Sequence, residues 1–332
     1  MVETDWARSE RDISLVKGLL KKVDLSFDEG VADTLMVFDD ENLVGTGSLD
    51  ENVLKCIGIE PKYQGEGLLG TICTALVTKA HDNGNEHLFI YTKTKNEMLF
   101  KPFGFSRVTA TEHVVLMENR KDGLKNYLKG LAGRRSGKVG AIVMKADPFT
   151  LGHRYLVEEA AKECNEVQVF VLSSKKSMFP PEKRLRLVKE GCKDLKNVIV
   201  NGTSDYLVSS ATFPTYFLGD TASVFNAQLD IRIFLEAFVP ELKITTRYVG
   251  TEPFSKVTDE YNQILIAALP KSGVSLRLIE RKTVGGAIVS ATRVREAIKA
   301  GRITQIKDLV SESTYKYLIS KEVLKLFQTE KV

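Results

Sequence analysis

Cysteine is scarce: Cys56, Cys73, Cys164 and Cys192 are the chain's four, far apart and with no C-x-x-C pair. That spacing indicates neither a zinc site nor a disulfide framework, and it fits a reducing compartment. Long apolar runs are missing as well, since no stretch approaches the ~18 residues of a membrane helix. The opening MVETDWARSERD carries acids and lacks an apolar core, so no secretory leader is read there and a cytoplasmic protein is expected. Nor is there a strong charge of one sign. A net charge of +4 with 27% charged residues is too mild to imply nucleic acid, though it suits an acidic partner or an anionic ligand. What is present is an ordinary 43% hydrophobic content over 332 residues, enough for two domains with a core each.

The first half begins with helical spacing, Ile13, Val16, Leu19 and Leu20 forming one face of a helix over 9–23. The period then changes to strands over 34–38, 43–49 and 53–59, with Asp39 to Asn42 as a turn. PKYQGEGLLG, from Pro61, is a glycine-containing turn before a helix-length apolar run over 68–80. Glycines there expose backbone amides that can hold a pyrophosphate at the helix start. A strand over 87–92, a short helix over 96–101, a turn at Phe103 to Phe105 and one last strand through Met117 complete this half. Asn119 to Lys138 is dense in Lys and Arg, and Leu124, Tyr127, Leu128 and Leu131 within it keep helical spacing. The expected division is therefore 1–118, a basic boundary segment 119–138, and 139–332. GRRSGK in that segment is not a P-loop, because its glycines are one residue too close and Val139 replaces the magnesium-binding Ser/Thr.

GAIVMKADPFTLGHRY, from Gly140, reads as a strand buried on both faces, a turn at Asp147 and Pro148, and the opening of a helix. Thr150, Gly152 and His153 fall at the helix N-terminus, where free N–H groups and the helix dipole attract anions. Thr150 offers a hydroxyl, His153 an imidazole, and Gly152 room for a phosphate near the backbone. Strands over 167–172, 198–200, 244–249 and 275–279 then alternate with helices over 181–191, 221–238 and 259–269, with short helices from Ile303 onward. This is the pattern of a parallel, doubly wound sheet that binds ligands at its carboxyl edge. A second motif, IVSATRVR from Ile288, also precedes a helix, with Ser290 and Thr292 as capping types and Arg295 within a turn of that end, placed to grip phosphate oxygens. Gly250, Thr251 and Glu252 follow a strand and are candidates for adenine or ribose, or a plain turn. Asp205 and Tyr206 are pocket candidates. Lys175, Lys176, Lys183, Arg184 and Arg186 are either phosphate ligands or a solvated face. His81, His87 and His113 have no ligand spacing.

Three resemblances follow from these residues. Gln64-Gly65-Glu66-Gly67, with Phe103-Gly104-Phe105 later, resembles the GCN5-related N-acetyltransferase fold, which binds acyl-CoA; Leu69 stands where that pattern has Gly or Ala. Thr150-Leu151-Gly152-His153 paired with Ser290 to Arg295 resembles the nucleotidyltransferase superfamily. The whole chain, in ADPFTLGHRYLVE, SDYLVSSATFPTYFL, RYVGTEPFSKVTDEYNQ and SATRVREAI, resembles the citrate lyase ligase family. Lys145, Ala146 and Asp147 depart from the Asn-rich residues expected there.

These resemblances imply an α/β protein, with an acetyltransferase-like mixed-sheet domain followed by a Rossmann-like nucleotidyltransferase domain with a parallel sheet. They imply ATP, with Mg2+ carried by the nucleotide, and acetate as substrates. The partner implied is the acyl-carrier subunit of citrate lyase with its CoA-like prosthetic group, to whose thiol acetyl passes through acetyl-AMP. Neither a nucleic acid nor a membrane partner is implied. The catalytic candidates are Thr150, His153, Lys145 and Arg295; Lys145 could assist catalysis or be merely tolerated. The nucleotide candidates are Ala146, Asp147, Pro148, Phe149, Gly152, Gly250, Thr251, Glu252, Ser290 and Thr292, and Gln64, Gly65 and Gly67 are the candidates in the first domain. Three other functions share some of these features: a dinucleotide-forming adenylyltransferase, an acetyl-CoA-dependent N-acetyltransferase, and a nucleotide sensor that binds a carrier protein through the basic segment.

Overall fold

A computed structural model describes residues 2–133, 136–174, 177–208, 222–252 and 256–323. Two compact units are present. One is Met1–Asn126 with Ser210–Ile233, and the other is Tyr127–Ser209 with Phe234–Val332.

The first unit runs β1 (Val2–Trp6), α1 (Glu10–Lys22), β2 (Asp33–Asp39), β3 (Asn42–Asp50), β4 (Val53–Ile59), α2 (Leu68–Asp82), β5 (Phe89–Lys93), α3 (Glu97–Phe100), β6 (Ser106–Ala110) and β7 (Val114–Glu118). Ser9 opens α1 with a capping box: its hydroxyl accepts from Asp12 N, and the Asp12 carboxylate accepts from Ser9 N. The seven strands form one mixed sheet in the order β1-β2-β3-β4-β5-β7-β6. Its single parallel pair, β4 with β5, is joined only at Val53–Phe89 and Leu54–Ile90, so the two strands part beyond Leu54. Ile72, Cys73 and Leu76 of α2 lie in the core with Leu35, Val37 and Ile90. Two differences from the sequence expectation stand out. The last strand is a hairpin of two, because Thr111 to His113 turns the chain, and β1 is an additional edge strand with four of its five residues exposed.

Helix α4 (Gly123–Lys129) leads to the second unit, which holds β8 (Val139–Met144), α5 (Leu151–Glu163), β9 (Glu166–Val171), α6 (Pro181–Cys192) and β10 (Val198–Gly202). Helix α7 (Ala222–Ile233) belongs to the first unit, where the Tyr91 hydroxyl donates to Asn226 Oδ1 at 2.6 Å and Phe225 packs on His113. The expected long helix over 221–238 is therefore divided: Thr221 lies outside the described residues, and Phe234–Phe238 is a π-turn running into α8 (Val239–Leu242). β11 (Thr246–Gly250), α9 (Lys256–Ala268), β12 (Ser275–Ile279), the hairpin β13 (Thr283–Val284) and β14 (Ala287–Ile288), α10 (Ala291–Lys299) and α11 (Glu312–Leu318) complete the second unit. Its sheet, β10-β9-β8-β11-β12, is parallel throughout. β8 is central, and Ile142 packs with Val157 and Ala160 of α5 and Val169 of β9, as expected for a strand covered on both faces. A second core of Phe179, Val289, Val294, Ile298 and Leu318 gathers the C-terminal helices.

Candidate active site

β8 ends in a compressed turn. Ala146 takes a left-handed φ of +50°, the Asp147–Pro148 bond is cis, and Thr150 returns to extended backbone as the N-cap of α5. Ala146, Asp147, Phe149 and Thr150 are all buried. The Asp147 carboxylate accepts from Met178 N at 3.1 Å and Phe179 N at 3.0 Å, which ties the turn to the segment before α6.

Thr150 and His153 cap α5 together. Thr150 Oγ1 accepts from His153 N at 3.4 Å and lies 2.9 Å from His153 Nδ1, while Thr150 N donates to the same Nδ1 at 3.1 Å. A backbone N–H can only donate, so Nδ1 is the ring's acceptor and the ring proton belongs on Nε2. The ring stacks on Phe149. Its pKa is pushed down to about 4, first by burial and then by the charges of Arg281 and Arg295, with Asp147 pulling the other way. The imidazole is thus a neutral Nε2–H donor at a helix N-terminus. Thr150 is 1% exposed, so its hydroxyl serves the ring.

The second motif meets the first. Ser290 caps α10, accepting from Arg293 N at 3.2 Å. Arg295 Nη1 donates to the Asp147 carbonyl at 2.6 Å and Nη2 to Thr292 Oγ1 at 2.9 Å. A Cβ on Gly152 would lie 3.1 Å from the Val289 carbonyl oxygen, so the missing side chain lets the two helix starts approach. Gly250, Thr251 and Glu252 continue β11. Thr251 N donates to Ile279 O at 3.0 Å, and Asn262 Nδ2 donates to Gly250 O at 3.3 Å.

The sequence reading missed Arg281. It follows β12, donates through Nε to Thr251 O at 2.6 Å, and pairs with Glu252 at 2.5 Å. Its neighbours Glu280 and Lys282 give it no motif; only its place just beyond the carboxyl end of a strand could have singled it out. Lys145, exposed at the end of β8, is held below the usual lysine range by partial desolvation first and then by Arg184 and Arg295, with Asp147 opposing.

Arg184 is fully buried, while Lys183 pairs with Glu322 and Arg186 with Glu190, so these three do not share one solvated face; Lys175 and Lys176 lie outside the described residues. Tyr206 is buried against the Tyr127 ring. In the first unit, Gln64, Gly65 and Gly67 form an exposed loop in which Gln64 Nε2 donates to Ile59 O at 3.1 Å. Gly65 and Gly67 have φ of +90° and +84°, with no atom within 4 Å of an added Cβ. These glycines are there for their backbone conformation, and Gly67 opens α2 without a side-chain cap.

The second unit is a Rossmann-like α/β unit, a parallel sheet with two capped helix starts converging beyond its central strand. A family model described as citrate lyase ligase C-terminal domain matches residues 139–318. The chain is 40% identical over 326 residues to the citrate (pro-3S)-lyase ligase of Escherichia coli (strain K12), covering 94% of this chain and 92% of that one. It is 34% identical over 320 residues to the protein of the same name from Haemophilus influenzae, covering 93% and 96%. Among solved structures, an acyl-CoA N-acyltransferase from Pseudomonas aeruginosa is similar over 36% of this chain and 100% of its own, at 12% identity and a TM-score of 0.32. The chain belongs to the citrate lyase ligase family, and it is an enzyme.

Proposed function

We propose that this enzyme activates citrate lyase by acetylating the thiol of its acyl-carrier prosthetic group, using acetate and ATP. In the first half-reaction an acetate oxygen attacks the α-phosphorus of ATP, the bond to the β-phosphate oxygen breaks, and pyrophosphate leaves with the electron pair. Acetate is already ionised near neutral pH, since carboxylic acids titrate at about 4, so this step calls for alignment and charge stabilisation rather than a general base. In the second, the carrier sulfur attacks the acetyl carbon and AMP leaves. A free thiol of pKa ~8.5 is a few per cent thiolate at neutral pH.

The observation that carries this reading is the neutral Nε2–H donor of His153, fixed by Thr150 at the start of α5 beside Arg281 and Arg295, in a chain of this family. His153 donates to a triphosphate oxygen as charge develops, Thr150 holds the ring, and the start of α10 with Arg295 faces the leaving pyrophosphate. Magnesium, arriving on the nucleotide, supplies charge neutralisation. In the first unit, the Gln64 to Gly67 loop before α2 is the place for the phosphate-bearing arm of the carrier.

The test is incubation with ATP, magnesium and deacetylated citrate lyase, with and without acetate, following pyrophosphate and carrier mass. Acetate-dependent pyrophosphate with a gain of one acetyl is expected. Acetylation from acetyl-CoA without ATP would support an acetyltransferase instead, and ATP binding without turnover a sensor.

A further inference from the structure

Arg184 lies on α6 with 0% of its surface exposed, and each of the three guanidinium nitrogens donates to a main-chain oxygen. Nη1 donates to Lys145 O at 2.6 Å, Nη2 to Ser174 O at 2.5 Å, and Nε to Phe179 O at 3.0 Å. Those three carbonyls belong to the end of β8 and to the segment between β9 and α6. From the other side, the buried Asp147 carboxylate takes the N–H groups of Met178 and Phe179. Two buried residues of opposite charge thus hold one segment, Asp147 by its amides and Arg184 by its carbonyls. The Asp147 carbonyl in turn receives Arg295, so the grip extends to the start of α10.

Taking a guanidinium out of water is costly, and an apolar residue of similar volume would fill the same space more cheaply. Leu185 and Leu187 beside it show that α6 uses apolar residues elsewhere. What a guanidinium adds is a rigid planar fork that fixes three carbonyls in one geometry, which the flexible ammonium of lysine does not reproduce. The atoms it fixes include the main chain of Lys145, two residues before Asp147 and five before Thr150. Its full burial keeps it from touching a phosphate directly.

We propose that Arg184 is a positioning residue for adenylylation: by tying the β8 turn to the segment before α6, it keeps Lys145, His153 and Arg295 in register for attack at the α-phosphorus. This rests on the reaction proposed above. Misalignment of about 1 Å costs on the order of 100-fold in rate, and it should appear in kcat with the KM for ATP little changed.

The experiment compares wild type with Arg184→Lys, which keeps the charge and loses the fork, and with Asp147→Asn, which loosens the same segment from its other side. Acetate-dependent ATP–pyrophosphate exchange gives kcat and KM, active-site titration corrects for unfolded protein, and amide hydrogen exchange reads Met178 and Phe179. The expected result for both variants is a kcat per active site about 100-fold lower, an unchanged KM, and faster exchange at those amides. Free guanidinium added to Arg184→Ala should restore part of the rate. Wild-type kcat per active site in Arg184→Lys, whatever its melting temperature, would overturn the inference, and so would unaltered amide exchange. Wild-type protein with no acetate-dependent exchange would count against the reaction itself, and the amide data alone would then decide whether Arg184 holds the segment.

Discussion

Thr150 N donates to His153 Nδ1 at 3.1 Å, and the Thr150 hydroxyl accepts from His153 N at 3.4 Å, so the residue that caps α5 also sets the ring's tautomer. Burial and two arginines hold the pKa at about 4, against about 6.5 for an ordinary histidine. The sign follows from proton binding. Between these values the unfolded chain binds more protons than the folded one, so stability from this group is full above pH ~6.5 and declines as pH falls toward the folded value. Urea melts of wild type and His153→Gln across that window should show wild type losing stability relative to the variant as pH drops. Nitrogen-detected NMR should report the proton on Nε2. A ring titrating near its ordinary value would contradict the assignment.

Gly152 is the point where the two motifs touch. An alanine there puts Cβ 3.1 Å from a backbone oxygen of Val289, which cannot swing away as a flexible side chain could. Gly152→Ala should therefore move the start of α10 by a few tenths of an ångström and lower the rate of pyrophosphate release about tenfold or more, with circular dichroism unchanged. Wild-type rates would show that the close approach is incidental.

A substitution at Gly67 tests the proposed role of the first unit. Alanine at its φ of +84° costs about 1–2 kcal/mol in that conformation and should distort the loop before α2. The expected outcome is a raised KM for the carrier with acetate-dependent ATP–pyrophosphate exchange preserved. Loss of the exchange itself would tie this loop to adenylylation.

Much of this was legible locally. β4 spans the expected 53–59 run, and α5 starts at the expected turn, because period and capping residues act over a few positions. What local pattern could not carry is what distant residues impose. The exposed residues of β1 become a strand only by pairing with β2. Thr111 to His113 turns a hairpin without glycine or proline. Arg184 sits among charged residues of α6 and resembles a surface residue until the carbonyls of Lys145, Ser174 and Phe179 gather around it, and Arg281 joins the site only because β12 ends beside β11. The return of α7 to the first unit rests on contacts between residues 135 positions apart, such as Tyr91 with Asn226, which no window of sequence contains.

The central claim is that the His153 Nε2–H acts on the triphosphate. His153→Asn tests it most directly, because asparagine can still accept from Thr150 N and close the cap while offering no donor where Nε2 stands. The measurement is acetate-dependent pyrophosphate release under single turnover with saturating ATP. The account predicts a folded variant slowed about 100-fold or more, the scale of losing one preorganised donor. A folded variant that releases pyrophosphate at the wild-type rate would contradict it.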